Sequence, residues 1–438
     1  MGYTPPVFND QRLVGQPQVM ADPRATELRF TPDHLSDENP AENMVNDAGD
    51  RSRNGPIDEW LLGEGRRFST SGELLVALCE RLLAAGFSID RASLHLNTLN
   101  PQVRGTRFVW QQGARRAAET TYGHEASVDE AYQRSPLYTV QRMGQTVRRR
   151  LDQGSAEVEF PILADLKSEG ITDYIALPIL FSTGEIQTAT WASRRPGGFD
   201  DRDIDTFQRL LPALSAIVEA QEVRRTSRTL LETYLGQQAG RRVLNGTIRR
   251  GDGETLAAAL WYCDLRGFTA MSNELPRDEL ISVLNAYFES VTAPVHAEGG
   301  EVLKFIGDAV LAIFPIADDL DRDRACRTAL GAAEDALDEL ARLNVSRRAA
   351  AKDRLDVGIG LHMGAVMYGN IGAPTRLDFT VVGPAVNYVT RIEGLCAELG
   401  RPLLTSATFA SPCGSKLVSV GRHRLKGIAE PQELFGLP

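Results

Sequence analysis

The chain has 438 residues, room for two or three domains of ordinary size. Apolar residues make up 42% and charged residues 24%, which excludes wholesale disorder and a collagen-like or disulfide-framework chain. Lys and Arg number 48 against 58 Asp and Glu, so the net charge of −10 argues against a protein that coats nucleic acid. The five cysteines, Cys79, Cys263, Cys326, Cys396 and Cys413, are scattered and form no CxxC pair. That usage fits a reducing compartment. No apolar run reaches the roughly 18 residues of a membrane span, and no basic segment followed by an apolar one opens the chain. The expectation is a cytoplasmic protein with no transmembrane segment.

Residues 1–56 hold seven of the 22 prolines and no apolar period, and read as a flexible tail. From 57 to 222 the pattern is globular. Leu74, Leu75, Leu78 and Leu82 recur at helical spacing before Gly86. Strands are predicted at 91–96 and 106–111. A strand pair follows at 174–181 and 186–192, around the turn Ser182-Thr183-Gly184-Glu185. Phe199-Asp200-Asp201 opens a helix with Ile204, Phe207, Leu211, Leu214 and Val218 on one face, and Pro212 is expected to kink it. Residues 223–252 carry seven arginines and a short amphipathic pattern, Leu230, Leu231, Tyr234 and Leu235. They read as a solvated helix face or as a signalling linker.

Residues 253–438 read as an α/β (α+β) domain. An apolar strand at 256–262 ends at Cys263-Asp264, and a helix follows with Leu280, Leu284, Tyr287, Phe288 and Val291 on one face. A hairpin at 301–306 and 309–314 turns about Gly307-Asp308. An Ala-rich helix at about 321–344 and a second strand pair at 355–362 and 365–370 complete a β-α-β-β-α-β order, that of a ferredoxin-like palm. The first two strands of such a fold are expected to be neighbours, so Asp264 at a strand end and Asp308 at a hairpin tip can approach each other. Paired carboxylates of this kind can share divalent cations for in-line phosphoryl displacement. Taken singly, each is also an ordinary turn or N-cap residue. Gly267, before Phe268 and Thr269, lets backbone N–H groups approach a phosphate.

The strings ALWYCDLRGFTAMS, GGEVLKFIGDAVLAIF, GIGLHMGAVMYGNIG and DFTVVGPAVNYVTRIEGL resemble the class III adenylate/guanylate cyclase catalytic domain, in that family's order and spacing. The resemblance implies that Asp264 and Asp308 hold two Mg²⁺ or Mn²⁺ ions and that Phe268 and Thr269 lie at the substrate phosphates. It makes Lys304 and Thr380 the base-reading pair, Asn387 the ribose-orienting residue, Arg391 the stabiliser of the α-phosphate, and Lys426 a β/γ-phosphate contact. A Lys ammonium only donates, so it suits the adenine N1 acceptor and would meet guanine N1–H donor to donor. Without those motifs, Lys304 reads as a solvated strand lysine and Thr380 as a β-former. The implied activity is ATP conversion to 3′,5′-cyclic AMP and pyrophosphate by a homodimer with interfacial sites. A guanylate cyclase and a catalytically silent dimerisation scaffold are the alternatives. A diguanylate cyclase would need a GG(D/E)EF hairpin, of which only Gly299-Gly300-Glu301 is present.

The 57–222 region resembles a GAF sensor domain, chiefly through GITDYIALPILFSTGEIQTATWASRRPGGFDDRDIDTF, although a PAS-like domain shares the order. It implies an unidentified small-molecule ligand. His95 and His124 read as strand and loop histidines, with haem ligation as the other reading. Cys79, on the first helix, argues against a covalent bilin. His362, on a strand among glycines, reads as structural.

Overall fold

The computed structural model describes residues 56–124, 130–153 and 160–438. The tail read at 1–56 lies, but for Pro56, outside the described residues. Two sheets organise the rest, each with its own hydrophobic core.

The first sheet has six antiparallel strands in the order β3-β2-β1-β6-β5-β4. These are β1 (Arg91–Asn97), β2 (Gly105–Gln111), β3 (Ala118–Tyr122), β4 (Val147–Arg150), β5 (Asp173–Leu180) and β6 (Ile186–Ser193). One face packs on the helices Ser71–Ala84 and Asp201–Leu235 through Leu74, Leu78, Leu94, Trp191, Phe207 and Leu214. Both helices start where their sequences say they should. Thr70 with Glu73, and Asp200 with Asp203, form reciprocal capping boxes that satisfy otherwise unpaired N–H groups.

The helix Asp201–Leu235 corrects one expectation. It runs 35 residues with Pro212 inside it, and the amphipathic stretch at 230–235 is its continuation rather than a separate short helix. At Gly236, with φ 93°, the chain turns into a second helix, Gln237–Leu244. There Ala239 is fully buried, with Leu235 and Val243 against the same cluster.

The second sheet contains β7 (Gly253–Leu265), β8 (Glu301–Ile306), β9 (Ala309–Ile316), β10 (Val357–Ala373), β11 (Arg376–Val382), β12 (Leu403–Ser406), β13 (Val418–His423) and β14 (Gln432–Gly436). Its order is β13-β14-β12-β10-β7-β9-β8, with β11 on the far part of β10. Within it, β10-β7-β9-β8 is the strand order of the expected ferredoxin-like palm. The first two strands of that palm, β7 and β8, are therefore not neighbours, because β9 lies between them. The strand pair expected at 355–362 and 365–370 is one continuous strand of 17 residues. Gly364 does not turn it, because the residue faces Ala258 inside an unbroken ladder with β7. The helices Arg277–Ala297 and Asp319–Ala349 cover one face through Tyr287, Val291, Leu330 and Ala333. No described helix is long and apolar enough to cross a membrane.

Candidate active site

β7 is the palm's central strand and delivers Asp264 at its end, where Gly358 of β10 pairs with it in register. Arg266 N–H donates to the Asp356 carbonyl at 2.8 Å, and Gly267, at φ 73°, turns the chain into the helix Phe268–Glu274. Asp308 occupies the tight β8–β9 turn beside Gly307, at φ 65°. β9 runs antiparallel to β7, with Val310 opposite Cys263, so continuing that register carries Asp308 to the end of β7. The approach of the two carboxyls is thus made through β9 rather than β8.

The two carboxyl groups face each other closely enough to share a proton. Burial and then the Asp308 charge push Asp264 up to about 6. A third carboxyl, Glu393, enters from the helix Pro384–Glu398. Burial and the charge of Asp264 raise it to about 7, against the pull of Arg266. Tyr262 is pushed up to about 12 by burial and by the charges of Asp264, Glu393 and Asp308. The helix sits this close because Gly358 and Gly360 leave room. A side chain at Gly358 would run into Glu393 Oε1, and one at Gly360 would lie 2.7 Å from the Val389 carbonyl.

This crowding of like charge fits a hard divalent cation. Asp264 and Asp308 offer carboxylate oxygens, the donors Mg²⁺ and Mn²⁺ prefer. Among the described residues no group of three or more His, Cys, Asp or Glu side chains could hold a metal ion. Two carboxylates completed by water and substrate phosphates is a common way of binding Mg²⁺.

The remaining predicted residues form other groups. Lys304 on β8 donates to Asp378 Oδ2 of β11 at 2.7 Å. Two residues along β11, Thr380 is buried, and its Oγ1 has no hydrogen-bond partner among the described residues. Asn387 is exposed in the first turns of its helix. Arg391, one turn on, is half-buried, and a side chain at Gly427 would meet its guanidinium at 3.6 Å. Lys426, exposed, precedes that glycine in the chain. Phe268 packs on the core and Thr269 is exposed. Among the described residues, no hydrogen bond or ion pair joins the Asp264–Asp308 pair to Lys304, Thr380, Asn387 or Arg391. One chain therefore presents an acidic group and a separate group of donors.

Residues 254–436 match the family of adenylate and guanylate cyclase catalytic domains. This part of the chain is a class III cyclase catalytic domain. An adenylate cyclase from Anabaena cylindrica is 35% identical over 158 residues, which is 36% of this chain and 31% of the relative. Adenylate cyclase 1 of Rhizobium meliloti (strain 1021) is 29% identical over 178 residues, 40% of this chain and 26% of the relative. The chain thus spans under a third of the length of either. The crystal structure of the adenylyl cyclase CyaB from P. aeruginosa covers 43% of this chain and 96% of its own, at 26% identity and a TM-score of 0.40.

Sequence reasoning about the cyclase domain missed Glu393, Asp378 and Glu301. Glu301 is buried at the start of β8, where it accepts from Tyr368 Oη at 2.9 Å and from the Ala239 N–H at 3.1 Å. His362 is structural as read: its Nδ1 lies 2.8 Å from Ser406 Oγ and its ring stacks on Tyr388.

Proposed function

We propose that the chain is an adenylate cyclase that converts ATP to 3′,5′-cyclic AMP and pyrophosphate. The observation that carries this reading is the Asp264–Asp308 pair, two half-buried carboxyls at adjacent strand ends whose mutual repulsion calls for positive charge. The ribose 3′-oxygen forms a bond to the α-phosphorus, the bond from that phosphorus to the β-phosphate bridging oxygen breaks, and the 3′-hydroxyl proton is lost. Divalent cations held by Asp264 and Asp308 would supply Lewis acidity and offset phosphate charge.

The chain's own residues do the rest. Lys304 donates to adenine N1, with Asp378 holding its ammonium in place, and the unpartnered Thr380 hydroxyl accepts from the N6 amine. Asn387 orients the ribose. Arg391 offers a permanent charge and a fork of donors to the α-phosphate, with Lys426 for the β- and γ-phosphates. Phe268 and Thr269 contribute at the phosphates.

The separation of acidic and donor groups within one chain supports a head-to-tail homodimer, each site taking one group from either subunit. Exposed apolar residues support the same arrangement: Phe305 and Ile306 beside Lys304, and Leu377 and Val382 beside Thr380. We further propose that 57–222 is a GAF-like sensor, that 223–252 is a signalling linker to the catalytic domain at 253–438, and that the protein works in the cytoplasm.

The test is cyclic nucleotide formation by the purified full-length chain with ATP or GTP and Mg²⁺ or Mn²⁺, beside Asp308→Ala. ATP turnover lost in the variant supports the proposal. A preference for GTP overturns the Lys304–Thr380 assignment. No turnover by the chain or by its 253–438 fragment at high concentration leaves the scaffold reading.

A further inference from the structure

β1 of the N-terminal sheet has two unlike faces. Ala92, Leu94 and Leu96 are buried in the core. Arg91, Ser93, His95 and Asn97 point the other way, as side chains on alternate residues must. A polar strand face ordinarily meets solvent. This one is partly covered by the segment around Tyr132–Gln141 and by Ile162, which border a cavity of about 360 Å³ over it.

The charge in that cavity is one-sided. Arg91, Arg104 and Arg107 line it, and among the described residues no Asp or Glu does. Arg107 sits opposite His95 in the β1–β2 register. Its Nε is buried with no hydrogen-bond partner, and its guanidinium lies 5.6 Å from the centre of the Tyr122 ring. Arg91 is half-buried and makes no ion pair or hydrogen bond among the described residues. Burial and the Arg107 charge weaken its hold on its proton, against the pull of Tyr174 and Glu169. His95, bonded to Ser93 Oγ at 2.9 Å, is pushed down to about 3 by burial and by Arg107 and Arg91, so it stays neutral. Two guanidiniums drawn from water without an ion-paired carboxylate are costly to enclose. The missing charge is negative, and Leu137 and Ile162 offer an apolar wall beside it.

We propose that this cavity binds a small organic oxyanion, a carboxylate or phosphate ester whose charged end sits between Arg91 and Arg107 and whose body lies against Leu137 and Ile162. The site lies across β2 from the helix leading to the cyclase domain. Arg225 Nη1 of that helix donates at 2.7 Å to the hydroxyl of Thr106, a cavity residue beside Arg107.

The experiment is isothermal titration of the full-length protein, without divalent cation, using benzoate, phenyl phosphate, inorganic phosphate and the neutral benzamide. The expected result is that benzoate or phenyl phosphate binds at least about tenfold more tightly than benzamide, and that Arg91→Gln and Arg107→Gln each weaken binding by about tenfold or more. Inorganic phosphate, lacking a body, binds more weakly than phenyl phosphate. Should either variant fail to fold, phenylglyoxal labelling of the unaltered protein decides, with phenyl phosphate shielding Arg91 and Arg107. Benzamide binding as well as the anions, no binding by any anion at millimolar concentration, or anion affinity unchanged in both variants would overturn the proposal. So would labelling that ignores phenyl phosphate. Only the regulatory consequence rests on the sensor reading above. An anion that binds but leaves cyclic AMP formation unchanged establishes the site and removes that reading.

Discussion

At the ends of β7 and the β8–β9 turn, Asp264, Asp308 and Glu393 crowd negative charge at half-buried positions. On β1 and β2, Arg91 and Arg107 crowd positive charge inside a cavity. Arg266 pulls on Glu393 and Glu169 on Arg91, yet among the described residues neither cluster is neutralised, and the two differ in placement. The acidic cluster lies at strand ends, beside loops and a turn, where a cation and a nucleotide can arrive and leave with each turnover. The basic cluster lies on one face of β1 and β2, partly covered by the segment around Tyr132–Gln141, where a ligand that settles in the cavity can relieve it. The same electrostatic imbalance thus suits turnover in one sheet and sensing in the other.

The largest expected effect breaks the acidic half. Asp308→Ala should lower cyclic AMP formation by about a hundredfold to a thousandfold, as removal of a principal transition-state contact does. The melting temperature should hold or rise, because the variant removes one of two repelling carboxylates. A fall in both would mean that Asp308 is a folding residue. Gly360→Ala comes next. Its new methyl group meets the Val389 carbonyl at 2.7 Å, so the helix bearing Asn387 and Arg391 must shift. The expectation is a loss of about 1–3 kcal/mol by urea denaturation together with reduced kcat.

The basic half is probed by acid. His95 binds a proton in the unfolded chain below pH about 6.5 but in the folded chain only near 3. Folding stability should therefore fall as pH drops through that window, by about 2 kcal/mol at pH 5 from this group. His95→Gln should flatten the dependence, and a bound organic anion should flatten it in the unaltered protein. The smallest effect is at the half-exposed Lys304–Asp378 pair. Asp378→Asn should change stability by less than about 1 kcal/mol while altering the ratio of kcat/KM for ATP and GTP. A ratio left unchanged would remove Asp378 from base reading.

How much of this the sequence disclosed depended on how local each signal is. Asp264 and Asp308 stand in contiguous motifs, and the tight turn at Gly307-Asp308 is written in its residues. Which strand carries Asp308 to β7 is a matter of sheet order, which no local pattern encodes, and the wrong neighbour was expected there. The strand pair expected at 355–362 and 365–370 would have to turn at 363–364, yet the ladder in which Gly364 faces Ala258 runs straight through. Glu393 had a usable signal: two glycines, Gly358 and Gly360, in a buried strand announce the close passage of another backbone. The arginine cavity had none. Arg91, Ser93, His95 and Asn97 alternate with apolar residues as any solvated strand does, and only the fold reveals the segment that partly covers them.

The helix Asp201–Leu235 joins the N-terminal core, where Phe207, Leu210 and Leu214 are buried, to the packed Leu235 and the turn at Gly236. Thirty-five residues make a rod of roughly 52 Å at 1.5 Å per residue, and each residue advances its face by about 100°. Its length is therefore a phase as well as a distance. Removing one to three residues between 223 and 235 should turn the Gly236 end to a new azimuth and alter basal cyclase activity. Removing seven, close to two full turns, should come nearest to restoring it.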